Sequence, residues 1–213
     1  MNSVYQSQVG GYRGPMSARP AAAVLTREAV IAAARATLEK TGVDDLSFRG
    51  VARDLGVTAP ALYAYVEDKQ ELLAAVATEH FEALVVRFQA VEADDPIERI
   101  RLLSRAYVDH ALASPALFRL MFRYPPTPTG GVEAFPPATR AFEVAAQATN
   151  EAVATGRLRV RDPLLANFAM WAAIHGVAEV LLMGFSTDAA SADELTSEVI
   201  ETMLAGQIHP LSG

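Results

Sequence analysis

Residues 46–73 read LSFRGVARDLGVTAPALYAYVEDKQELL, and this stretch decides the fold. Ser47 stands where a hydroxyl can cap a short helix running from Phe48 to Leu55. Gly56 follows, a residue that adopts the left-handed backbone at little cost and so ends a helix. Thr58 is placed to cap a second short helix, from Ala59 to about Val66. Two helices joined by a tight turn containing glycine make a helix-turn-helix. Val51, Ala52, Leu55, Val57 and Leu62 are spaced to meet across that turn, and Ala52 is small enough for the two backbones to approach closely. A unit of this kind sets its second helix against duplex DNA.

Working outward, nothing reads as a strand, because no alternating apolar and polar run is bounded by turn residues. Upstream, Thr26 caps a helix with Glu28 in its first turn. Val30, Ile31, Ala34 and Leu38 form its apolar stripe, and Gly42 ends it. Downstream, Asp68 and Glu71 make the D-x-x-E form of a capping box. The helix they open runs through Leu72, Leu73, Val76, Phe81, Leu84 and Phe88 to about Ala90. Further helices are expected from Pro96 to about Leu112, from Pro115 to about Phe122, and from Ala138 to Ala154. Asp162-Pro163 opens a long one to Met183, and Ser191 or Asp193 the last, to about Ala205. Residues 124–137, YPPTPTGGVEAFPP, read as a loop. The expected fold is all-α with about nine helices. It divides into an arm over 1–22, a helix-turn-helix head over 23–70 and a larger helical body over 71–213.

Composition sets bounds on this reading. The chain has 213 residues, 51% of them apolar and 20% charged, which describes a well-packed globular protein. It has no cysteine, so disulfides, zinc fingers and thiol nucleophiles are excluded, and a reducing, cytoplasmic setting is expected. The net charge is −7, unlike the basic footprint usual for a nucleic-acid binder. Residues 1–75 hold 8 Lys/Arg against 8 Asp/Glu, and the remainder 10 against 17. The acidic excess therefore lies entirely in the body. DNA binding then needs local placement of charge and a dimer to double the contacts, with modest non-specific affinity. The first 22 residues, MNSVYQSQVGGYRGPMSARPAA, have no apolar run and read as a disordered arm, not a signal peptide. Arg13 or Arg19 in it can reach phosphates or a minor groove.

These residues carry a resemblance to the TetR family of transcriptional regulators. The pattern is S-F-R-x-V-A-x-x-L-G-V-T-x-x-x-L-Y-x-Y-V-x-x-K-x-E-L-L, preceded by an apolar helix and covering about residues 25–75. WAAIHG at 171–176 resembles the Trp-His-Gly signature of one class of TetR carboxy-terminal domains. The resemblance implies an all-α homodimer with one DNA-reading head per subunit and a body that dimerises and holds a small-molecule pocket. It thus implies a repressor released by its ligand. Thr58, Ala59, Pro60, Ala61, Tyr63 and Tyr65 align with the family's DNA-contacting stretch, and Lys69 with a phosphate-contacting lysine.

The residues themselves add an inference about readout. With Leu62 inward at 100° per residue, Val66 falls beside it, Pro60 and Ala64 point outward, and Tyr65 sits at the border. Between Thr58 and Val66 there is no Arg, Lys, Gln or Asn, so this helix has no side chain that forks onto a base. Ala59, Pro60 and Ala61 can only meet apolar groups such as thymine methyls. Arg49 is the nearby side chain able to fork onto guanine, unless it pairs with Asp45 or Asp54. Ser47, Tyr63, Tyr65 and Lys69 then position the protein on the backbone, although Tyr63 also suits plain packing.

The body's long helix, PLLANFAMWAAIHGVAEVLLM, is apolar almost all round and about 30 Å long. Asn167, His175 and Glu179 within it, and the lack of flanking basic clusters, argue for burial against a partner subunit rather than a membrane span. With the 193–205 helix it suits a four-helix bundle across a two-fold axis, as in the family. Trp171, His175 and Glu179 are each four apart, share a face and are expected, with Tyr107, Phe118, Met121, Phe122, Phe142 and Phe168, to bind the ligand. Phe118, Met121, Phe122, Phe142 and Phe168, with Met170, divide between core and the lining of a pocket for a small, mostly hydrophobic effector. Tyr107 and His175 are the expected polar handles, and His175 also suits a core histidine satisfied by Glu179. No cofactor or metal site is expected, since His175 and Glu179 have only His110 as a third ligand. Two rivals stand beside the ligand-released regulator. One is an effector-independent architectural dimer. The other is an all-α enzyme, for which no nucleophile is spaced to join His175 and Glu179.

Overall fold

Stop and start signals in the sequence place the helix boundaries. The computed structural model describes residues 25–123, 136–184, 191–205 and 207, which are helical with no sheet among them. The amino-terminal arm and most of the proline-rich 124–137 segment lie outside the described residues. The helices are α1 (Arg27–Thr41), α2 (Phe48–Asp54), α3 (Ala59–Leu62), α4 (Lys69–Gln89), α5 (Pro96–Ala113), α6 (Pro115–Arg123), α7 (Pro136–Ala154), α8 (Pro163–Leu182) and α9 (Ala192–Leu204). Starts carry side-chain caps: Thr26 accepts from the Ala29 N–H, Ser47 from Gly50, and Asp162 from Leu164. Ser191 and Glu194 complete a reciprocal capping box on α9.

Three local expectations are corrected. Thr58 has the extended backbone of an N-cap, but its hydroxyl makes no capping bond. Pro60 has no N–H to offer, and the Ala61 N–H is taken by the Thr58 carbonyl at 3.0 Å. The segment expected to be helical to Val66 is α-helical only to Leu62. It then tightens through bonds such as Tyr65 N–H to Leu62 O, 2.9 Å, in the three-residue spacing of a 3₁₀ turn. At the start of α4, Asp68 accepts from the Glu71 N–H at 2.8 Å, but the Glu71 carboxylate reaches back to the Glu67 N–H at 2.6 Å instead of Asp68. That carboxylate also pairs with Arg27 and ties α1 to α4. One boundary also moves: α7 begins at Pro136, two residues early, because Pro136 and Pro137 already hold the backbone angle of a first helical turn.

Two cores form. The head core gathers Val30, Ile31, Ala34 and Leu38 of α1, Val51 and Ala52 of α2, Leu62 of α3 and Leu72, Leu73 and Val76 of α4. The body core gathers Phe81, Leu84 and Phe88 from the rest of α4 with Tyr107, Phe118, Met121 and side chains of α7, α8 and α9. Two helices serve both cores. Along α4 the change comes between Ala77 and Phe81, while α6 divides by face, giving Leu117 and Leu120 to the head and Phe118 and Met121 to the body. Arg123 at the end of α6 also bonds Asp44 in the α1–α2 connection, at 3.1 Å.

Candidate functional site

In the head, the turn between α2 and α3 is fixed by a Schellman motif. Gly56 has φ +69°, its N–H bonds Arg53 O at 3.1 Å, and the Val57 N–H bonds Ala52 O at 2.9 Å. This sets α3 across α2 with Leu62 and Val66 buried and Pro60, Ala64 and Tyr63 exposed. Ala59, Ala61 and Tyr65 are half-buried at the border. Tyr63 is 61% exposed, and its ring lies 5.0 Å from that of Phe48. That contact brings the start of α2, with Ser47 and Arg49, beside the end of α3. Arg49 is exposed and makes no ion pair among the described residues; Asp54 pairs instead with Arg53 at 3.6 Å. Thr58 and Lys69 are exposed as well. Of the nine residues singled out from the sequence, Ser47, Arg49, Thr58, Pro60, Tyr63 and Lys69 are exposed and Ala59, Ala61 and Tyr65 half-buried.

In the body, a cavity of about 390 Å³ lies among α4, α5, α6, α7 and α8. Of the nine residues expected there, Tyr107, Met121, Phe122, Phe142, Phe168 and Trp171 line it. Phe118, His175 and Glu179 do not. Phe118 is completely buried, packed edge-on against Tyr107 and Phe122 behind the wall. His175 stands one layer out, held by Tyr107, whose hydroxyl is 2.9 Å from His175 Nδ1. Trp171 Nε1 donates to the same hydroxyl at 3.3 Å. The Tyr107 hydroxyl thus bridges the Trp171 indole and the His175 imidazole. Burial lowers the His175 pKa against the opposing pull of the Glu179 carboxylate, and burial raises that of Tyr107. Glu179 makes no side-chain hydrogen bond to His175.

His110, the imagined third metal ligand, is elsewhere. Its ring stacks on that of His80 from α4, centroids 4.0 Å apart. Among the described residues no group of three or more His, Cys, Asp or Glu side chains can hold a metal ion.

Comparison with known proteins joins these two halves. A family described as "Bacterial regulatory proteins, tetR family" matches residues 30–76, and one described as "Tetracyclin repressor-like, C-terminal domain" matches residues 100–203. The chain belongs to the TetR family of transcriptional regulators. It is a DNA-binding regulator, and both matches are to regulators, which sets aside the all-α enzyme. A helix-turn-helix-type transcriptional regulator of Mycobacterium tuberculosis is 26% identical over 193 residues, covering 89% of this chain and 84% of that protein. The class D tetracycline repressor of Escherichia coli is 47% identical, but over only 55 residues, 26% of this chain and 25% of the repressor. A solved structure of a protein of unknown function from Rhodococcus sp. RHA1 superposes with a TM-score of 0.79 at 28% identity, covering 90% of this chain and all of that one.

For this TetR-family regulator, reasoning from sequence missed the polar side chains of the cavity. Ser104, Thr149 and Asn167 line it, as do Phe81, Leu84 and Phe88 of α4. The available signal was a polar residue set among apolar ones, in AAQATNEAVA and in PLLANFAM. From sequence alone, Asn167 argues only against a membrane span. The His80–His110 pair had no signal at all, because 30 residues and a loop separate the partners.

Proposed function

We propose that this protein is a homodimeric repressor that leaves its operator when a small, uncharged, mostly apolar molecule enters the body. The observation that supports this reading best is that α4 and α6 each belong to both cores. Phe81, Leu84 and Phe88 of α4 and Met121 and Phe122 of α6 line the cavity, while Leu72, Leu73, Leu117 and Leu120 on the same two helices pack the head. A ligand that spreads the cavity wall moves those helices as rigid units and changes the separation of the two heads. A dimer reads half-sites about one helical turn or a multiple apart, so altered spacing costs affinity. The ligand acts only to the extent that it binds the altered spacing better.

The dimer surface is the outer face of α8 with α9. Leu164, Leu165 and Val180 of α8 and Met183 at its C-cap are exposed in the single chain. The helix is long and apolar enough to cross a membrane, with only 22% of that stretch buried within the chain. Packing against α8 and α9 of a second copy covers such a patch. On DNA, Arg49 reads guanine. Thr58, Ala59, Pro60 and Ala61 face base edges and methyl groups, and Ser47, Tyr63, Tyr65 and Lys69 hold the backbone. The reading extends to the subclass: Trp171, His175 and Gly176 resemble the Trp-His-Gly signature. The setting is cytoplasmic.

Fluorescence anisotropy with DNA from upstream of the protein's own gene, against shuffled DNA at physiological salt, tests the reading. Specific binding that a ligand both weakens and accompanies with a rise in Tm supports ligand release. Specific binding indifferent to every ligand that raises Tm favours the architectural dimer.

A further inference from the structure

The cavity wall is more selective than its apolar character suggests. Among the described residues, no Asp, Glu, Lys, Arg or His side chain lines it. A carboxylate or ammonium entering there surrenders its hydration with no opposite charge to meet it. Two polar side chains are nonetheless buried on that wall: Thr149, 6% exposed, and Asn167, 7% exposed. Neither side chain makes a hydrogen bond to any described residue. Other buried helical hydroxyls behave differently. Ser104 donates to Ile100 O at 2.8 Å and Thr196 to Ala192 O at 2.7 Å, each tied back to its own helix. Neither Thr149 nor Asn167 is among the sealed polar groups without a partner, so both keep access to the cavity they line and stand ready for a partner that enters it.

The expected handle, Tyr107, already has two side-chain partners, Trp171 and His175. Asn167 has two N–H donors and a carbonyl acceptor free, and Thr149 a hydroxyl. Asn167 lies one helical turn before Trp171, and Ser104 one turn before Tyr107, on helices whose Tyr107 and Trp171 touch. Ser104 of α5, Thr149 of α7 and Asn167 of α8 line the same cavity. The aromatic rings of Phe122, Phe142 and Phe168 supply its apolar walls, with Phe142 and Phe168 at 4.7 Å centroid separation.

Resting on the reading of the body as a ligand-release domain, we propose that the cavity takes an uncharged molecule with an aromatic or similarly apolar body and one neutral head group. That head both donates and accepts hydrogen bonds, as an amide or hydroxyl does. Asn167 and Thr149 bind the head, and the ring cluster binds the body. The volume of about 390 Å³ is near the small end of ligand pockets, about 300–1,000 Å³, so the ligand is small.

Trp171 is the single tryptophan of the chain and lines the cavity, so its fluorescence reports occupancy directly. Three probes share one body and differ in the head: butylbenzene, para-butylbenzamide and para-butylbenzoate. Titrated into the full-length protein, the benzamide binds about tenfold or more tighter than either of the others. In Asn167→Leu that advantage over butylbenzene shrinks to about threefold or less. The same variant, without ligand, gains about 2–4 °C in Tm, because a buried polar group without a protein partner has been replaced by an apolar one. Thr149→Val behaves in the same direction with a smaller loss. Benzoate binding as tight as benzamide, a benzamide preference that survives Asn167→Leu, or a lowered Tm for that variant overturns the proposal. Benzamide that binds in the expected pattern and leaves operator DNA in place sustains this ligand class and overturns ligand release instead.

Discussion

The two cores of this protein are built from different materials. In the head, the buried cluster is Val, Ile, Leu and Ala throughout, with aromatic Phe48 and Tyr65 only at its margin. In the body, Phe81, Phe88, Tyr107 and Phe118 are buried beside a cavity, and polar groups lie within the apolar mass. Branched aliphatic chains and alanines interdigitate with few gaps, which makes the head a solid that presents one fixed ridge. Flat rings on five helices leave space between them, which makes the body able to admit a guest. On the proposed reading, rigidity serves recognition of a fixed lattice of phosphates, and a hollow core serves response to a ligand. The same contrast holds for buried polar groups. Among the described residues the head core has none, whereas the body holds His80, Ser104, His110, Thr149, Asn167 and Thr196.

If the head is a filled solid, removing part of it should be costly. Leu62→Ala opens a cavity where the side chain is fully buried, and is expected to lose about 2–5 kcal/mol in urea denaturation, with loss of operator binding. A loss well below that range would mean the head collapses around the gap and is less rigid than its packing indicates. Arg49→Ala leaves folding unchanged and lowers operator preference over shuffled DNA by about 1–3 kcal/mol. Full preference retained in that variant removes Arg49 from the readout.

The body's buried histidines give a pH signature that the head lacks. Burial holds His80 near 3 and, with Arg87 nearby, His110 near 4, against an ordinary histidine near 6.5. His110 and the cations Arg35 and Arg87 lower His80 further. Between those values the unfolded chain binds protons that the folded chain refuses, so stability falls as pH drops below about 6.5. Carboxylates held low by ion pairs, such as Asp95 by Arg157 and Glu201 by Arg101, act in the same direction only at more acid pH. Calorimetry at pH 7 and pH 5 should therefore show a drop of order 1 kcal/mol or more. In His80→Leu/His110→Leu the drop shrinks to the part contributed by His175, also lowered by burial. An undiminished slope assigns the effect to other groups. The smallest expected change is Tyr107→Phe, which strips the hydroxyl between Trp171 and His175. It should cost about 1 kcal/mol and shift Trp171 fluorescence, with DNA binding intact.

Legibility of the sequence followed the range of the interactions. Helix ends depend on side chains within four residues, so Thr26, Gly42, Ser47, Gly56, Asp68 and Ser191 could be read directly, and the burial of Leu62 and Val66 followed from helical period alone. Errors arose where two local signals competed, as at Thr58, whose capping role is forestalled by Pro60. The cavity was half legible: large aromatic residues announced an apolar site, and six of the nine named residues line it. Which residues stand behind the wall was not, because Phe118 and Phe122 differ by one helical turn and only the crossing of α5, α6 and α8 separates core from lining.

By itself, then, the sequence determined the all-α class, the helix-turn-helix and its exposed ridge, because these depend on backbone conformation and periodicity within a short span. Only the tertiary structure decided that α4 and α6 belong to both cores, that Tyr107 is spent on Trp171 and His175, and that Asn167 and Thr149 lack partners. Each of those facts is a relation between side chains on different helices. Crossing geometry fixes such relations, and no local pattern encodes it.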